Sequence, residues 1–227
     1  MFNFEEGELL LLDKPLEWTS FDVVKKIRNT IRVRKVGHAG TLDPLATGLL
    51  ITCTGKMTKK INEFQALPKE YAGVFVLGQS TPSHDLETEV SDKKEIRHIT
   101  EKDINGVIEK FKGSILQVPP AHSAIKKDGQ RAYLKARAGQ QVDLEPREVE
   151  VYSLEVTNVR LPEVYFHLKC SKGFYVRSLA RDFGETLGTG AYLSELRRTR
   201  IGNYSVDDAW KIEDFVNSFK EWKSTKG

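Results

Sequence analysis

Cysteine is scarce in this chain of 227 residues, and the two that occur, Cys53 and Cys170, lie far apart. Neither belongs to a C-x-x-C motif, which argues against a disulfide framework and against a cysteine-based zinc site. Free cysteines without such a pattern are typical of a reducing compartment. We therefore expect a cytoplasmic protein.

Long apolar runs are also missing. The chain begins MFNFEEGELLLL, with acid rather than base near its start and an apolar run of only four leucines. A secretory signal needs a basic start and a longer apolar segment, and a membrane-spanning helix needs about 20 apolar residues. The sequence therefore predicts a soluble protein without a membrane partner.

Acid is nearly missing from residues 31–60, where six Lys or Arg residues stand against Asp43 alone. Residues 123–137 and 169–200 are also basic, whereas residues 80–109 hold eight acids against four bases. The formal net charge of the whole chain is only +3. Three basic segments in a nearly neutral chain predict a surface for a polyanion. Runs of charge are also common on ordinary solvated surfaces, and that interpretation stays open.

Apolar periodicity predicts helices and strands that do not alternate regularly along the chain. Residues 7–12 have the pattern of a short strand, and Thr19 opens a helix with Asp22 as its capping-box partner. Residues 100–112 form an amphipathic pattern, and Glu163–Cys170 alternates apolar and polar residues as a strand does. We therefore expect an α+β fold with a largely antiparallel mixed sheet, rather than a doubly wound one.

Residues 117–147 differ from the rest in composition. They hold three prolines, two glycines and five basic residues between Lys126 and Arg137, but few large apolar residues. Long excursions of this kind inside a compact domain are usually functional. A disordered insertion would have the same composition, so both interpretations stay open.

Asp43 lies in GHAGTLDPLATGLL, among glycines, threonines and small apolar residues, with Pro44 directly after it. One interpretation is structural, because Asp-Pro is a common helix start with Asp as N-cap and Pro as the first helical residue. The other is chemical. A nucleophilic carboxylate stays ionised when a cation is close, and small neighbours let a nucleotide approach the backbone.

Several further segments accompany the Asp43 string in a fixed order: LLLLDKPLEWTSFDVV before it, then KEYAGVFVLGQSTPSHD, PPAHSAIKKDGQRAYLKARAG and CSKGFYVRSLARDFGETLGTGAYLSELRRTRIG. Together they resemble the TruB family, the tRNA pseudouridine synthases that act on uridine 55 in the TΨC loop. The resemblance runs from about Leu9 to Trp210. It implies the pseudouridine synthase fold, with a central sheet flanked by helices and a basic, thumb-like insertion that clamps RNA.

The resemblance also implies roles for individual residues. Asp43 matches the catalytic aspartate, which attacks the flipped-out uridine at either the ribose C1′ or C6 of the base, with no metal or organic cofactor. Tyr71 matches the tyrosine that stacks on the target base, and Arg177 matches the arginine that pairs with the aspartate. The remaining residues expected to bind substrate are His38, Asp85, Leu196, Lys14, Lys126, Lys127 and Arg131.

The position of Arg177 gives a hint independent of the resemblance. The sequence places Arg177 at the start of a helix from about residue 176 to residue 187. The helix dipole disfavours positive charge there, so a carboxylate is needed to compensate it. Asp43 is the carboxylate that we expect to do so.

Two features depart from the family pattern. His122 stands where the family commonly has tyrosine, and no C-terminal RNA-binding module of PUA type follows the last helix. The chain is therefore expected to be one catalytic domain over residues 1–227, either as a natural short form or as a truncated one. We expect a monomer that binds the TΨC arm of tRNA and has no obligatory protein partner.

Three other functions fit parts of the sequence. The string Ser123–Lys126 matches the S-x-x-K nucleophile motif of penicillin-binding proteins, but its K-T-G and S-D-N partners and an export signal are missing. The chain could act mainly as a tRNA-folding chaperone, a binding activity that does not need a nucleophile. The related guide-RNA-dependent pseudouridine synthases share the motifs, but they need protein partners and usually the C-terminal module.

Overall fold

The structure, a computed structural model, describes residues 3–91, 93–121, 126–127, 130–131, 140 and 144–225. The chain divides into two compact units. The first unit comprises Met1–Tyr71 and Leu196–Gly227, and the second comprises Ala72–Glu195. The expectation of a single catalytic domain over residues 1–227 stays a prediction.

The described residues form strands and helices in irregular order. The strands are β1 (Leu9–Lys14), β2 (Val36–His38), β3 (Ala46–Thr54), β4 (Lys69–Leu77), β5 (Gly113–Gln117), β6 (Lys126–Lys127), β7 (Gln130–Arg131), β8 (Arg147–Arg160), β9 (Glu163–Cys170), β10 (Ala191–Ile201), β11 (Tyr204–Ser205) and β12 (Trp210–Lys211). The α-helices are α1 (Ser20–Ile31), α2 (Ile61–Ala66), α3 (Glu101–Glu109), α4 (Val176–Thr186) and α5 (Ile212–Ser224). Short 3-10 helices cover Gly55–Lys60 and Val206–Asp208.

The first unit is built on a mixed sheet in which β3 is central. Strand β1 lies antiparallel to β3 and parallel to β12, while the last part of β10 lies parallel to β3 on its other side. In this register Gly48 of β3 is opposite Lys14 of β1 and also opposite Arg198 of β10. The sheet thus places two long cationic side chains on either side of the same glycine.

Side chains of the first unit's sheet alternate between two apolar cores, as a strand period of two requires. Leu10, Leu12 and Leu50 pack on one face against helices α1 and α5. Leu49 and Ile51 point to the opposite face, where Ile201 and Val206 lie. Strand β3 is buried on both faces, which gives the segments at its ends a rigid support.

The second unit is a sheet with the strand order β4, β9, β8 and β5, in which β8 is antiparallel to both β9 and β5. Alternate residues of β9 are buried, as the sequence pattern predicted. Phe166 of β9 stacks on Phe75 of β4 with ring centroids 4.1 Å apart, and Phe183 of helix α4 lies 5.3 Å from Phe75. Strand β5 carries the chain into residues 118–146.

The predicted α+β class with a mixed, largely antiparallel sheet is confirmed. The capping box of Thr19 and Asp22 is present at the start of α1. Two predicted boundaries were wrong. The first strand covers Leu9–Lys14 instead of residues 7–12. Helix α3 ends at Glu109 instead of residue 112, and the chain then enters β5 at Gly113, which has a φ of +85°. Among the helices that the structure describes, none combines the length and apolarity needed to cross a membrane.

Candidate active site

Asp43 lies in a turn that joins β2 to β3 in the first unit. The Ala46 N–H donates to the Asp43 carbonyl oxygen at 3.1 Å, which closes a four-residue turn with Pro44 at its second position. Proline is favoured there because its fixed φ suits the turn. Strand β3 begins at Ala46, so Asp43 is not the N-cap of a helix. The structural interpretation of Asp-Pro as a helix start is wrong.

Lys14 forms a hydrogen bond with the main chain of this turn. Its side chain is fully buried, and its ammonium donates to the carbonyl oxygens of Trp18 at 2.6 Å, Pro15 at 2.9 Å and Pro44 at 3.2 Å. Three acceptors match the three donors of an ammonium group. Burial lowers the pKa of Lys14 to about 8, while the negative charge of Asp43 acts in the opposite direction. Lys14 therefore holds the main chain beside Asp43, and its expected contact with substrate stays a prediction.

Arg198 is a buried residue of the site that the sequence interpretation missed. Its Nε donates to the Leu49 carbonyl at 2.8 Å, Nη2 donates to the Gly40 carbonyl at 3.1 Å, and Nη1 donates to the Thr41 carbonyl at 3.4 Å. The sequence analysis counted Arg198 in a basic segment of a polyanion-binding surface. The side chain is 1% exposed, so that interpretation is wrong for this residue. The only sequence signal was its position two residues after Leu196 in the SELRRTR string.

Arg177 lies in the second unit, in the first turn of helix α4. It is buried, its Nη1 donates to the Ser83 carbonyl at 3.3 Å, and its Nε lies 3.5 Å from the Asp85 carboxylate. The dipole argument predicted a compensating carboxylate, and within the second unit Asp85 supplies one. The predicted pairing of Arg177 with Asp43 stays a prediction.

The Asp85 segment is fixed by hydrogen bonds of its own. The Glu87 N–H donates to the Asp85 carboxylate at 3.0 Å, while the hydroxyls of Thr81 and Ser83 donate to the Asp85 carbonyl at 2.6 and 3.1 Å. Asp85 also forms an isolated parallel bridge with Leu193 of β10. The carboxylate is therefore held in place by the main chain before any ligand binds.

The other predicted pocket residues are distributed over three strands. Tyr71 is a buried residue of β4, Leu196 of β10 is half-buried opposite Ala46 of β3, and His38 ends β2. Burial, assisted by the positive charge of Arg198, lowers the pKa of His38, while a hydrogen bond with the Gly40 main chain opposes that shift. The lowered pKa favours the neutral imidazole, and the buried Nδ1 of His38 has no hydrogen-bond partner among the residues that the structure describes.

The predicted RNA-binding insertion is described in part. Its strands β6 and β7 form an antiparallel hairpin in which Lys126 is opposite Arg131 and Lys127 is opposite Gln130. The predictions for His122, Lys135 and Arg137 lie outside the described residues. The hairpin places the three basic residues expected to bind RNA, Lys126, Lys127 and Arg131, at neighbouring backbone positions.

The start of this insertion is fastened to helix α4, and sequence reasoning missed the residue that does so. The buried Gln117 amide donates to the Tyr175 carbonyl at 3.1 Å and accepts from the Tyr175 N–H at 2.8 Å. Tyr175 is the N-cap of α4 and has no side-chain cap. Ser178 and Arg181 of the same helix donate to the Val118 carbonyl.

Comparison with known proteins defines the class. Residues 28–176 match the family described as "TruB family pseudouridylate synthase (N terminal domain)", and residues 177–227 match the "tRNA pseudouridylate synthase B C-terminal domain". These two matches make the chain a pseudouridylate synthase by class. The chain belongs to the TruB family.

Similar proteins cover nearly the whole chain. A protein of Flavobacterium johnsoniae named tRNA pseudouridine synthase B is 49% identical over 96% of this chain and 98% of its own length. A protein of the same name from Phocaeicola vulgatus is 49% identical over 97% of this chain and 94% of its own length.

Solved structures share the fold. A chain in the crystal structure of a Cbf5-Nop10-Gar1 complex has a TM-score of 0.77 and 31% identity, and a chain in an H/ACA RNP bound to a substrate RNA containing 2′-deoxyuridine has a TM-score of 0.74 and 28% identity. Both cover 99% of this chain, which spans only 57% and 56% of those chains.

Proposed function

We propose that the protein converts uridine 55 in the TΨC loop of tRNA to pseudouridine. The observation that carries this proposal is the 49% identity, over almost the full length of both chains, to proteins named tRNA pseudouridine synthase B. Position 55 is proposed from the motif resemblance around Asp43. The hydrogen-bonded turn that carries Asp43 supports a catalytic role for this residue, since a nucleophile reacts efficiently only when it is held in the right geometry.

Asp43 is the proposed nucleophile. Its carboxylate attacks either C1′ of the ribose or C6 of the base, the N1–C1′ bond breaks, and the uracil rotates and rejoins C1′ through C5. The bond between Asp43 and the attacked carbon also breaks, which returns the free carboxylate. The proton lost from C5 balances the proton gained at N1, so substrate and product are isomers. The attack requires the ionised carboxylate, and Lys14, a cation of the same unit, interacts electrostatically with Asp43.

The target base is stacked inside a folded loop and must be extruded before Asp43 can reach it, at a cost of a few kcal/mol. Tyr71 is proposed to recover part of this cost as a stacking platform, since base–aromatic stacking contributes about 1–3 kcal/mol. The neutral imidazole of His38 is proposed to enter the opened RNA loop, where an uncharged ring can stack between bases. Leu196 is proposed to line the pocket, while Asp85 and Arg177 position the base and the carboxylate.

The proposed enzyme works on bare tRNA, in the cytoplasm and as a monomer, without an obligatory protein partner. The names of the 49%-identical relatives favour this over a guide-RNA-dependent complex such as the H/ACA particle among the solved neighbours. Both cysteines are buried and neither forms a disulfide within the described part of the chain, and burial raises the pKa of Cys53 to about 11, which suits an inert thiol.

Incubation of the purified protein with an unmodified tRNA transcript tests the proposal. We expect pseudouridine at position 55 and nowhere else, mapped by a chemistry that marks pseudouridine. A transcript with cytidine at position 55 is the matched substrate control and should gain no pseudouridine. Formation of product only after a guide RNA and partner proteins are added would contradict the proposal and favour the guide-dependent alternative.

The basic hairpin should contribute salt-dependent affinity for RNA. We expect the triple change Lys126→Gln, Lys127→Gln and Arg131→Gln to weaken tRNA binding. Each lost phosphate contact should also flatten the slope of log affinity against log salt by about 0.7–0.9. Binding titrations at several salt concentrations measure both quantities. The matched control is Lys93→Gln, Lys94→Gln and Arg97→Gln, three exposed bases in the acidic segment, and an equal change of slope in both variants would contradict the assignment.

A further inference from the structure

Arg198 connects the two ends of the segment that carries Asp43. Two of its carbonyl acceptors, on Gly40 and Thr41, precede Asp43 in the chain, and the third, on Leu49, belongs to β3, which follows it. Gly40 lies before the turn in the chain, and Leu49 lies after it. One guanidinium group therefore fastens the entry and the exit of the turn to each other.

The guanidinium is suited to this task in a way that an ammonium is not. Arginine presents donors in a rigid planar fork, so Nε and the two Nη atoms can reach carbonyls on different segments at the same time. The ammonium of lysine is a single point on a flexible stem. Lysine at this position would present one point donor in place of three separate N–H groups, so we expect it to keep fewer of the three carbonyl contacts.

The backbone of β3 is shaped to admit Arg198. Gly48, directly opposite Arg198, has a φ of +103°, and a Cβ there would collide with the Arg198 main chain. Gly40, whose carbonyl accepts from Arg198, has a φ of +102°, which side chains rarely adopt. Gly48 therefore lets the main chain at position 198 approach β3, and Gly40 presents its carbonyl to the guanidinium.

This arrangement has an electrostatic cost. The positive charge of Arg198 lowers the pKa of Lys14 and also that of His38, so Arg198 acts unfavourably on a second buried cation. Burial of a charged group is itself unfavourable unless it is well hydrogen-bonded. An apolar residue would fill the space without these costs. It would, however, leave the carbonyls of Gly40, Thr41 and Leu49 without the donor that joins the two ends of the turn.

We propose that Arg198 is a positioning residue, which holds the Asp43 turn in the geometry needed for attack by binding the carbonyls of Gly40, Thr41 and Leu49. The inference rests on the proposed function, in which Asp43 is the nucleophile. The proposed role of Arg198 is exerted through the main chain of the turn. Lys14 holds the other side of the turn through Pro44, so loss of Arg198 releases the Gly40 side while the Pro44 side stays fastened.

The test compares Arg198→Met and Arg198→Lys with Lys220→Met, a change at an exposed residue of helix α5 in the same unit. The reaction rate at saturating tRNA and the dissociation constant for tRNA are measured separately. We expect Arg198→Met to lower the rate by about 100-fold, because a displacement of about 1 Å has an effect of that size. We expect its dissociation constant to change by less than about threefold, since phosphate contacts dominate RNA affinity.

Arg198→Lys should recover part of the lost rate, and Lys220→Met should retain nearly all of the wild-type rate. If Arg198→Met does not fold, a folded Arg198→Lys with the full wild-type rate would overturn the inference. An Arg198→Met enzyme with an unchanged rate, or with rate and affinity lowered equally, would overturn it as well.

Amide hydrogen exchange separates this inference from the proposed function. We expect faster exchange at residues 40–46 in Arg198→Met, with unchanged protection at the β1–β3 pairing, and this readout does not depend on catalysis. If the wild-type protein does not modify tRNA while exchange at the turn still rises in the variant, the proposed function fails and the positioning of the turn stands. If the wild-type protein is active and the turn stays protected in the variant, only the positioning inference fails.

Discussion

Replacement of Asp43 by asparagine is expected to abolish pseudouridine formation while leaving tRNA binding almost intact. The amide has nearly the shape of the carboxylate but is not a nucleophile, and removal of a nucleophile lowers turnover by about 10⁴- to 10⁶-fold in enzymes that form covalent intermediates. The turn should persist, because it is closed by the main-chain bond between Ala46 and Asp43 and held by Lys14 through Pro44. Single-turnover assays with excess enzyme measure the loss.

The dissociation constant of Asp43→Asn for tRNA should stay within about threefold of wild type, because affinity for RNA comes mainly from cationic contacts to phosphate. Asp208→Asn, an exposed acid of the same unit, is the matched control and should have full activity. Residual activity from deamidation is not expected, since Pro44 has no N–H to attack the introduced amide. Wild-type turnover by Asp43→Asn would contradict the nucleophile assignment, and a cellular role that survives the change would favour the tRNA-folding chaperone.

Helix caps and strand alternation could be predicted from the sequence, because each depends on residues only a few positions apart. The capping box at Thr19 and Asp22 and the alternation along Glu163–Cys170 are both present, because each depends on neighbours in the chain. The motif string around Asp43 indicated the family in another way. A motif is recognised by its residue types and their spacing, so no knowledge of the structure is needed. These signals were sufficient for the class of fold and for the candidate nucleophile.

The environment of charged side chains could not be predicted in the same way. Lys14, Arg177 and Arg198 are all buried, although the sequence analysis placed Lys14 among the substrate contacts and two of the three in a basic surface segment. Counting charge along a chain gives no information on which strand is opposite which. The register that places Lys14 and Arg198 on either side of Gly48 is set by pairing across about 35 and about 150 residues of sequence.

The Asp-Pro dipeptide shows how a local signal can be ambiguous. Aspartate followed by proline suits a helix start and also suits the first two positions of a turn, because proline fixes the same φ in both. What decides between them is the following segment, which enters the buried strand β3 and packs on two cores. Tertiary burial therefore selected the turn, and it is this choice that leaves Asp43 on a loop instead of within a helix cap.

The pair of Asp85 and Arg177 should have the largest effect on stability. Both side chains are about 5% exposed, so Asp85→Ala leaves a buried guanidinium at the start of helix α4 without that carboxylate. Removal of one partner of a buried ion pair costs about 3 kcal/mol or more, because the remaining charge is left uncompensated. We expect Asp85→Ala to lower the free energy of unfolding by about this amount, measured by denaturant titration, and to lower turnover at saturating tRNA by at least about tenfold.

A double-mutant cycle decides whether the loss comes from the pair itself. If Asp85 compensates Arg177, Asp85→Ala combined with Arg177→Met should lose clearly less stability than the sum of the single changes, since the interaction between the two residues is then lost only once. The exposed pair Glu109 and Lys112 of the same unit is the control, and its cycle should give a coupling of less than about 1 kcal/mol. Additive losses at Asp85 and Arg177 would show that the two residues act separately. In that case Arg177 would be compensated by another carboxylate, and Asp43, the partner expected from the sequence, would be the first to examine with the same cycle.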